Sequence, residues 1–165
     1  MKTYLRILAV ALAMLMTIPM IACGSEEPGE PPETQRVTEW SLNINGVELS
    51  VGMNMPKDLG EPTNYFESAS CAIQGLDKDY TYGSILVKTE DDGKTERIVG
   101  LTILDDGAAT TGGVTIGDSR DKVIGAHGTP KSESDTALIY AVGDGAVAKF
   151  LLRDNAVISI TYTVE

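Results

Sequence analysis

The chain has 165 residues and a net charge of −11, and an acidic surface without a basic cluster repels phosphate backbones, which argues against nucleic-acid binding. Two cysteines and a single histidine leave no material for a disulfide framework, a multi-histidine metal centre or a serine–histidine relay with a spare base. No cofactor and no metal is therefore expected.

Lys2 and Arg6 precede an apolar run over 7–21 that ends in Met20-Ile21-Ala22-Cys23. A positive start, a short hydrophobic stretch and a small residue just before Cys make up a bacterial lipoprotein signal peptide. The run is shorter than the ~20 residues of a spanning helix, and it contains Pro19. Residues 1–22 are thus expected to be removed, leaving Cys23 lipidated by palmitate-type chains and the chain anchored to the cell membrane on its extracytoplasmic side. Removal takes away two of the 13 basic residues and none of the acidic ones, giving a net charge of −13. The membrane contact is then the lipid, because so acidic a surface is not drawn to anionic headgroups. The stretch over 25–35 reads SEEPGEPPETQ, and proline at this density favours extension by about 3.1 Å per residue. Residues 23–37 form an acidic, Pro-rich tether, and 38–165 a single domain.

Trp40, Leu42 and Ile44 alternate with polar residues, Asn45-Gly46 supplies a tight turn, and Val47, Leu49 and Val51 resume the alternation. This predicts a hairpin. Pro56 suits a first helical turn, but so little chain remains before Gly60 that the helix predicted here is vestigial. Strands are predicted over 80–88 and 97–104, on either side of Asp91-Asp92-Gly93. The segment 117–130 predicts a full helix. Asp118 or Ser119 caps its first turn, Val123 and Ile124 with Ala126 or His127 supply the buried face, and Gly128 followed by Pro130 ends it. Strands over 137–142, 146–153 and 156–163 follow, joined by Gly143-Asp144-Gly145 and Asp154-Asn155. Such short links force antiparallel pairing.

The chain repeats itself. Val51-Gly52 followed by Leu59-Gly60-Glu61-Pro62-Thr63 parallels Ile116-Gly117 followed by His127-Gly128-Thr129-Pro130-Lys131. Tyr82 then matches Tyr140, and RIVGLTIL over 97–104 matches AVISITYT over 156–163. The first copy is three residues shorter between its glycines and ten longer before its tyrosine, where it carries Ser70-Cys71-Ala72 and Gln74-Gly75. The expected fold class is α+β, an antiparallel sheet with short helices on one face, built from two degenerate tandem copies over about 38–106 and 112–165.

The pattern Ile116-Gly117-x-Ser119-x-x-x-Val123 leading to Gly128-Thr129-Pro130 and a tyrosine strand resembles a known repeat. It is shared by the β-lactamase inhibitory protein and the small lipoprotein subunit of the β-barrel assembly machinery. Ser70-Cys71-Ala72, Gly75, Asp77, Tyr80, Tyr82 and Gly83 bring the chain closer to uncharacterised tandem-repeat lipoproteins of Gram-positive bacteria. The resemblance spans about 40–165 and implies a fold; those relatives have no assigned function to transfer.

Three patterns invite a chemical reading. Ser119-Arg120-Asp121-Lys122 has the Ser-x-x-Lys spacing of penicillin-interacting enzymes but none of their partner motifs, and Ser119 already serves as a helix cap. Asp77-x-Asp79-x-Thr81 resembles the opening of a calcium loop, with its glycine displaced to Gly83 and Lys88 where Glu is required; a strand beginning is the better account. His127 is expected in the last helical turn, as a cation favoured by the helix dipole. Cys71, left without an intrachain partner once Cys23 is lipidated, reads first as a small buried thiol and second as an intermolecular or reactive one. No catalytic constellation emerges, so no enzyme is expected. The expected function is that of an envelope lipoprotein that binds another protein, with a solute-binding or ligand-sensing lipoprotein as the alternative. The residues of the expected binding patch are Cys71, Tyr80, Tyr82 and Tyr140.

Overall fold

The structure, a computed structural model, describes residues 40–143 and 145–165. Everything before Trp40, which includes the expected signal peptide, Cys23 and the tether, lies outside the described residues, as does Asp144.

Strands β1 (Leu42–Ile44) and β2 (Val47–Leu49) form a two-stranded hairpin with Leu42 opposite Leu49 and Ile44 opposite Val47. Its turn is the one that Asn-Gly chemistry dictates, with φ of +52° at Asn45 and +88° at Gly46. The remaining strands form one antiparallel sheet. They are β3 (Asn64–Ala69), β4 (Leu76–Tyr82), β5 (Ile85–Asp91), β6 (Glu96–Ile103), β7 (Ser132–Ser134), β8 (Ala137–Gly143), β9 (Ala146–Arg153) and β10 (Ala156–Val164), in the spatial order β3-β4-β5-β6-β10-β9-β8-β7. Helix α1 (Arg120–His127) is the one helix among the described residues.

This overturns the expected α+β class: the fold is sheet-dominated, not a sheet layered with helices. The reason lies in the first copy's short segment. Residues 52–55 hydrogen-bond to β6, through Gly52 N–H to Ile98 O (2.8 Å), Ile98 N–H to Met53 O (2.9 Å) and Met55 N–H to Glu96 O (2.9 Å), but where the second copy then turns into α1 no helix follows them. Too few residues remain before Gly60 to build the two turns a packed helix needs. The predicted single strand over 80–88 is also two strands. Gly83, at φ +57°, makes a tight turn with Ser84 between β4 and β5. The extra ten residues of the first copy lengthen the β3–β4 hairpin beyond its counterpart β7–β8.

One face of the sheet is buried. Ile85 and Val87 of β5, Ile98, Leu101 and Ile103 of β6, Leu138 and Tyr140 of β8, Ala148, Phe150 and Leu152 of β9, and Val157, Ile160 and Tyr162 of β10 form one core with Trp40, Leu42, Ile44, Leu49, Leu59, Val114 and Val123. The covering layer is therefore the β1–β2 hairpin, the two loops around Leu59 and Val114, and α1. Ser119 caps the helix by accepting from Lys122 N–H, and Gly128, at φ +76°, closes it with its N–H on Ile124 O. Val123 is fully buried, a contribution of about 1.5–3 kcal/mol.

The two halves meet about a local two-fold axis. β6 and β10 pair antiparallel with Thr102 opposite Thr161, and these two threonines, 59 residues apart, are each other's counterparts in the sequence repeat. Their hydroxyls lie 3.4 Å from one another. The correspondence extends to irregularities. Register slips past Val99 in β6 and past Ile158 in β10. The three bonds that tie 52–55 to β6 recur as Gly117 N–H to Val157 O (2.8 Å), Val157 N–H to Asp118 O (2.8 Å) and Arg120 N–H to Asn155 O (3.1 Å). Tyr82 sits opposite Ile85 and Tyr140 opposite Ala148, with Ile103 and Tyr162 next in line. The two tyrosines thus hold equivalent positions on the same face.

Candidate functional site

Equivalent positions, unequal cover: that contrast locates the candidate site. In the second half Tyr140 is 3 % exposed, sealed beneath α1, with its hydroxyl donating to Gly128 O at 3.2 Å. It belongs to an aromatic box in which Trp40 stacks on His127 (centroids 4.5 Å, planes 19° apart) and meets Tyr162 edge-on at 5.7 Å. In the first half no helix of the described residues lies over β4, and Tyr80 and Tyr82 are only half-buried.

Two concavities result, and Tyr82 and Glu61 line both. One, of about 690 Å³, runs between β4, the 54–62 loop and the β5–β6 turn, bordered by Met55, Pro56, Pro62, Tyr80, Lys94 and Glu96. The other, of about 640 Å³, lies between the β1–β2 turn, the β4–β5 turn and the loop at 107–109, bordered by Asn43, Asn45, Thr63, Ser84, Gly107 and Ala108.

Two carboxylates that line the first groove, Asp91 and Glu96, are paired with side chains beside it. Lys78 Nζ contacts Asp91 at 2.6 Å and Glu96 at 3.2 Å, and Thr89 Oγ1 donates to Glu96 at 2.6 Å. Strand alternation places Lys78, Tyr80 and Tyr82 on one face, with Thr89 opposite Lys78. The Asp91 hydrogen bond, opposed by burial and helped by Glu96, raises the Lys78 pKa, and the same ammonium lowers that of Asp91. Burial, then hydrogen bonding to Glu96, pushes the Tyr80 phenol upward; burial, then the charges of Glu61 and Glu96, does so for Tyr82. Both phenols are therefore neutral hydrogen-bonding groups at physiological pH. Flat aromatic surface, fixed carboxylates and an apolar proline rim suit recognition of an extended polar chain.

The residues expected to form a patch do not assemble into one. Tyr80 and Tyr82 share the groove, and Tyr140 is inside the other half. Cys71 is exposed, not buried. It sits in the turn after β3, where Ser70 N–H bonds Gly75 O, and Gly75 is itself five residues from Tyr80, about 17 Å at strand rise. The insertion that carries it extends a hairpin outward instead of folding back over the sheet.

His127 also departs from expectation. The residue is 7 % exposed, and its Nε2 lies 3.0 Å from Thr110 Oγ1. Burial pushes its pKa down to about 4, so the ring is neutral at pH 7. Desolvation by the Trp40 box outweighs a dipole term of about 0.3–1 kcal/mol. Ser119 is a cap as its sequence predicts, and Asp79 lies within β4, paired with Lys88 at 2.9 Å.

Sequence reasoning passed over Lys78, Asp91 and Glu96. A signal for them exists: apolar or aromatic positions fall at 80 and 82 and then at 85 and 87, and this slip of phase marks the turn at Gly83 and puts Lys78 on the tyrosine face. Compared with protein-family models, with curated proteins and with solved structures, the chain matches none.

Proposed function

We propose that the chain is a membrane-anchored extracytoplasmic lipoprotein, related to the tandem-repeat lipoproteins it resembles, whose domain binds another protein of the cell envelope through the groove over β4. The observation that carries the binding reading is the missing helix. The same face that α1 seals around Tyr140 is left open around Tyr80 and Tyr82, and half-buried tyrosines in a groove are frequent anchors. The anchoring reading rests on Lys2, Arg6, the apolar run and Cys23.

Two measurements test it. Labelled palmitate should mark the wild type and not Cys23→Ala; equal labelling overturns the anchor. A photo-crosslinking side chain at Tyr82, in intact cells, should yield a discrete protein adduct that the same group at Lys149 does not. Lys149 opposes Thr161 and points away from the core. Identical adducts at the two positions overturn the groove reading.

A solute-binding role keeps one observation in its favour, since both concavities fall in the ~300–1,000 Å³ range of small-molecule sites. A small ligand that raises the unfolding temperature of the wild type and not of Tyr82→Ala, with no protein adduct at Tyr82, would put that reading first.

A further inference from the structure

The two edges of the eight-stranded sheet are unlike. At one end β7 is three residues long, and Arg120 covers it by donating to Ser134 O and approaching Glu133 at 3.6 Å. At the other end β3 runs for six residues, all exposed, and carries Tyr65 and Phe66, 45 % and 60 % exposed, with no proline within it. Long, uncovered edge strands bearing aromatics are templates for pairing with another strand. The 60 % exposure of Phe66 is the greatest among the exposed large hydrophobics.

The backbone fixes which groups face outward. Ser70 N–H bonds Gly75 O, and the ladder runs from Ala69 opposite Leu76 to Asn64 opposite Thr81. In an antiparallel ladder the hydrogen-bonding direction alternates. Asn64, Phe66 and Ser68 therefore spend their N–H and C=O on β4, and those of Tyr65, Glu67 and Ala69 face the open edge. A second β3 approaching antiparallel must bond odd-numbered residues to odd-numbered ones. Two such registers use most of the strand. One sets Glu67 against Glu67 of the other copy, a like-charge pair. The other sets Tyr65 against Glu67 and Glu67 against Tyr65, with Phe66 facing Phe66 across the axis.

The geometry points to a homodimer built by β3–β3 pairing in this second register. Each strand would offer the N–H and C=O of Tyr65 and Glu67, making four backbone hydrogen bonds. Tyr65 already donates its hydroxyl to Glu67 within one chain, so the cross-copy Tyr–Glu pairs reuse a contact the strand favours. The two Phe66 rings cover each other on the opposite face. The arrangement repeats the chain's own construction, in which β6 and β10 join two four-stranded units antiparallel about Thr102 and Thr161. A six-residue edge buries less than the ~1,200 Å² of a standard interface, so the dimer is weak and concentration-dependent. This inference stands apart from the groove reading.

Disulfide trapping of the full chain in cells tests both the pairing and its register. In a Cys71→Ser parent, which sets the background from Cys23, Phe66→Cys should give at least tenfold more disulfide-linked dimer than Lys149→Cys. Directly opposed Cα atoms in a non-hydrogen-bonded pair lie about 4.5 Å apart, within disulfide reach. Glu67→Cys should trap poorly, because its two copies are offset by two residues and about 8 Å apart. Adding Glu67→Pro to Phe66→Cys removes an outward N–H and should reduce the dimer to background, with unchanged circular dichroism showing that the fold survives. Trapping stronger at Glu67→Cys than at Phe66→Cys overturns the register. Equal trapping at Lys149→Cys, background-level trapping at Phe66→Cys in a folded chain, or adducts to a different protein overturns the homodimer.

Discussion

His127 ties the folded state to pH in a window of its own. Burial in the Trp40 box lowers its pKa from 6.5 to about 4, so between those values the unfolded chain holds a proton that the native chain refuses. Stability is then full above about pH 6.5 and falls with pH down to about 4, by roughly 3 kcal/mol. The hydrogen-bonded carboxylates act lower on the scale, Glu48, held down by Ser41 and Asn43, only beneath its ordinary 4.5. Asp91, Asp92, Asp105 and Asp118 all lie below their ordinary 3.8, so what they contribute is present above that value and is lost only beneath it. Urea unfolding followed by the fluorescence of Trp40, the single tryptophan, isolates the step. The wild type should lose about 3 kcal/mol across the upper window, and His127→Phe, which keeps a ring against Trp40 but cannot titrate, should lose little there. Because His127 is the only histidine, its ring signal in an NMR titration is unambiguous. A midpoint near 6.5 with the fold intact, or the same slope in wild type and variant, would refute the claim that burial outweighs the helix dipole.

Two further substitutions test the asymmetry of the halves. Val123→Asp places a charge at a position with no exposure and should cost on the order of 3 kcal/mol or more, whereas Met53→Asp, at a half-buried position in the helix-free segment of the first copy, should cost much less; urea midpoints in the reverse order would contradict the layer described for α1. Cys71 is exposed in a turn, so a thiol reagent should modify it in native buffer at the rate of a small free thiol; protection that disappears only in denaturant would mean the hairpin tip is covered.

Sequence alone determined the local conformations. Asn45-Gly46 and Asp154-Asn155 adopt positive φ at both residues because few other pairs do so at low cost, and they set the β1–β2 and β9–β10 hairpins. Ser119 and Gly128 fix the ends of α1, since capping depends on neighbours within a turn. The match of Tyr82 with Tyr140 was also legible, since both copies carry the same order of turns and strands. Tertiary structure decided everything that depends on what lies opposite. Packing decided what each half covers: α1 closes over Tyr140, whereas the 54–62 loop borders an open groove at Tyr80 and Tyr82. His127 is neutral because Trp40, remote in sequence, stacks on it; Cys71, read from the sequence as a buried thiol, is exposed because the insertion that carries it extends the β3–β4 hairpin. Each is a matter of desolvation or pairing between distant segments, and the energy of burying a side chain is set by the partner that covers it.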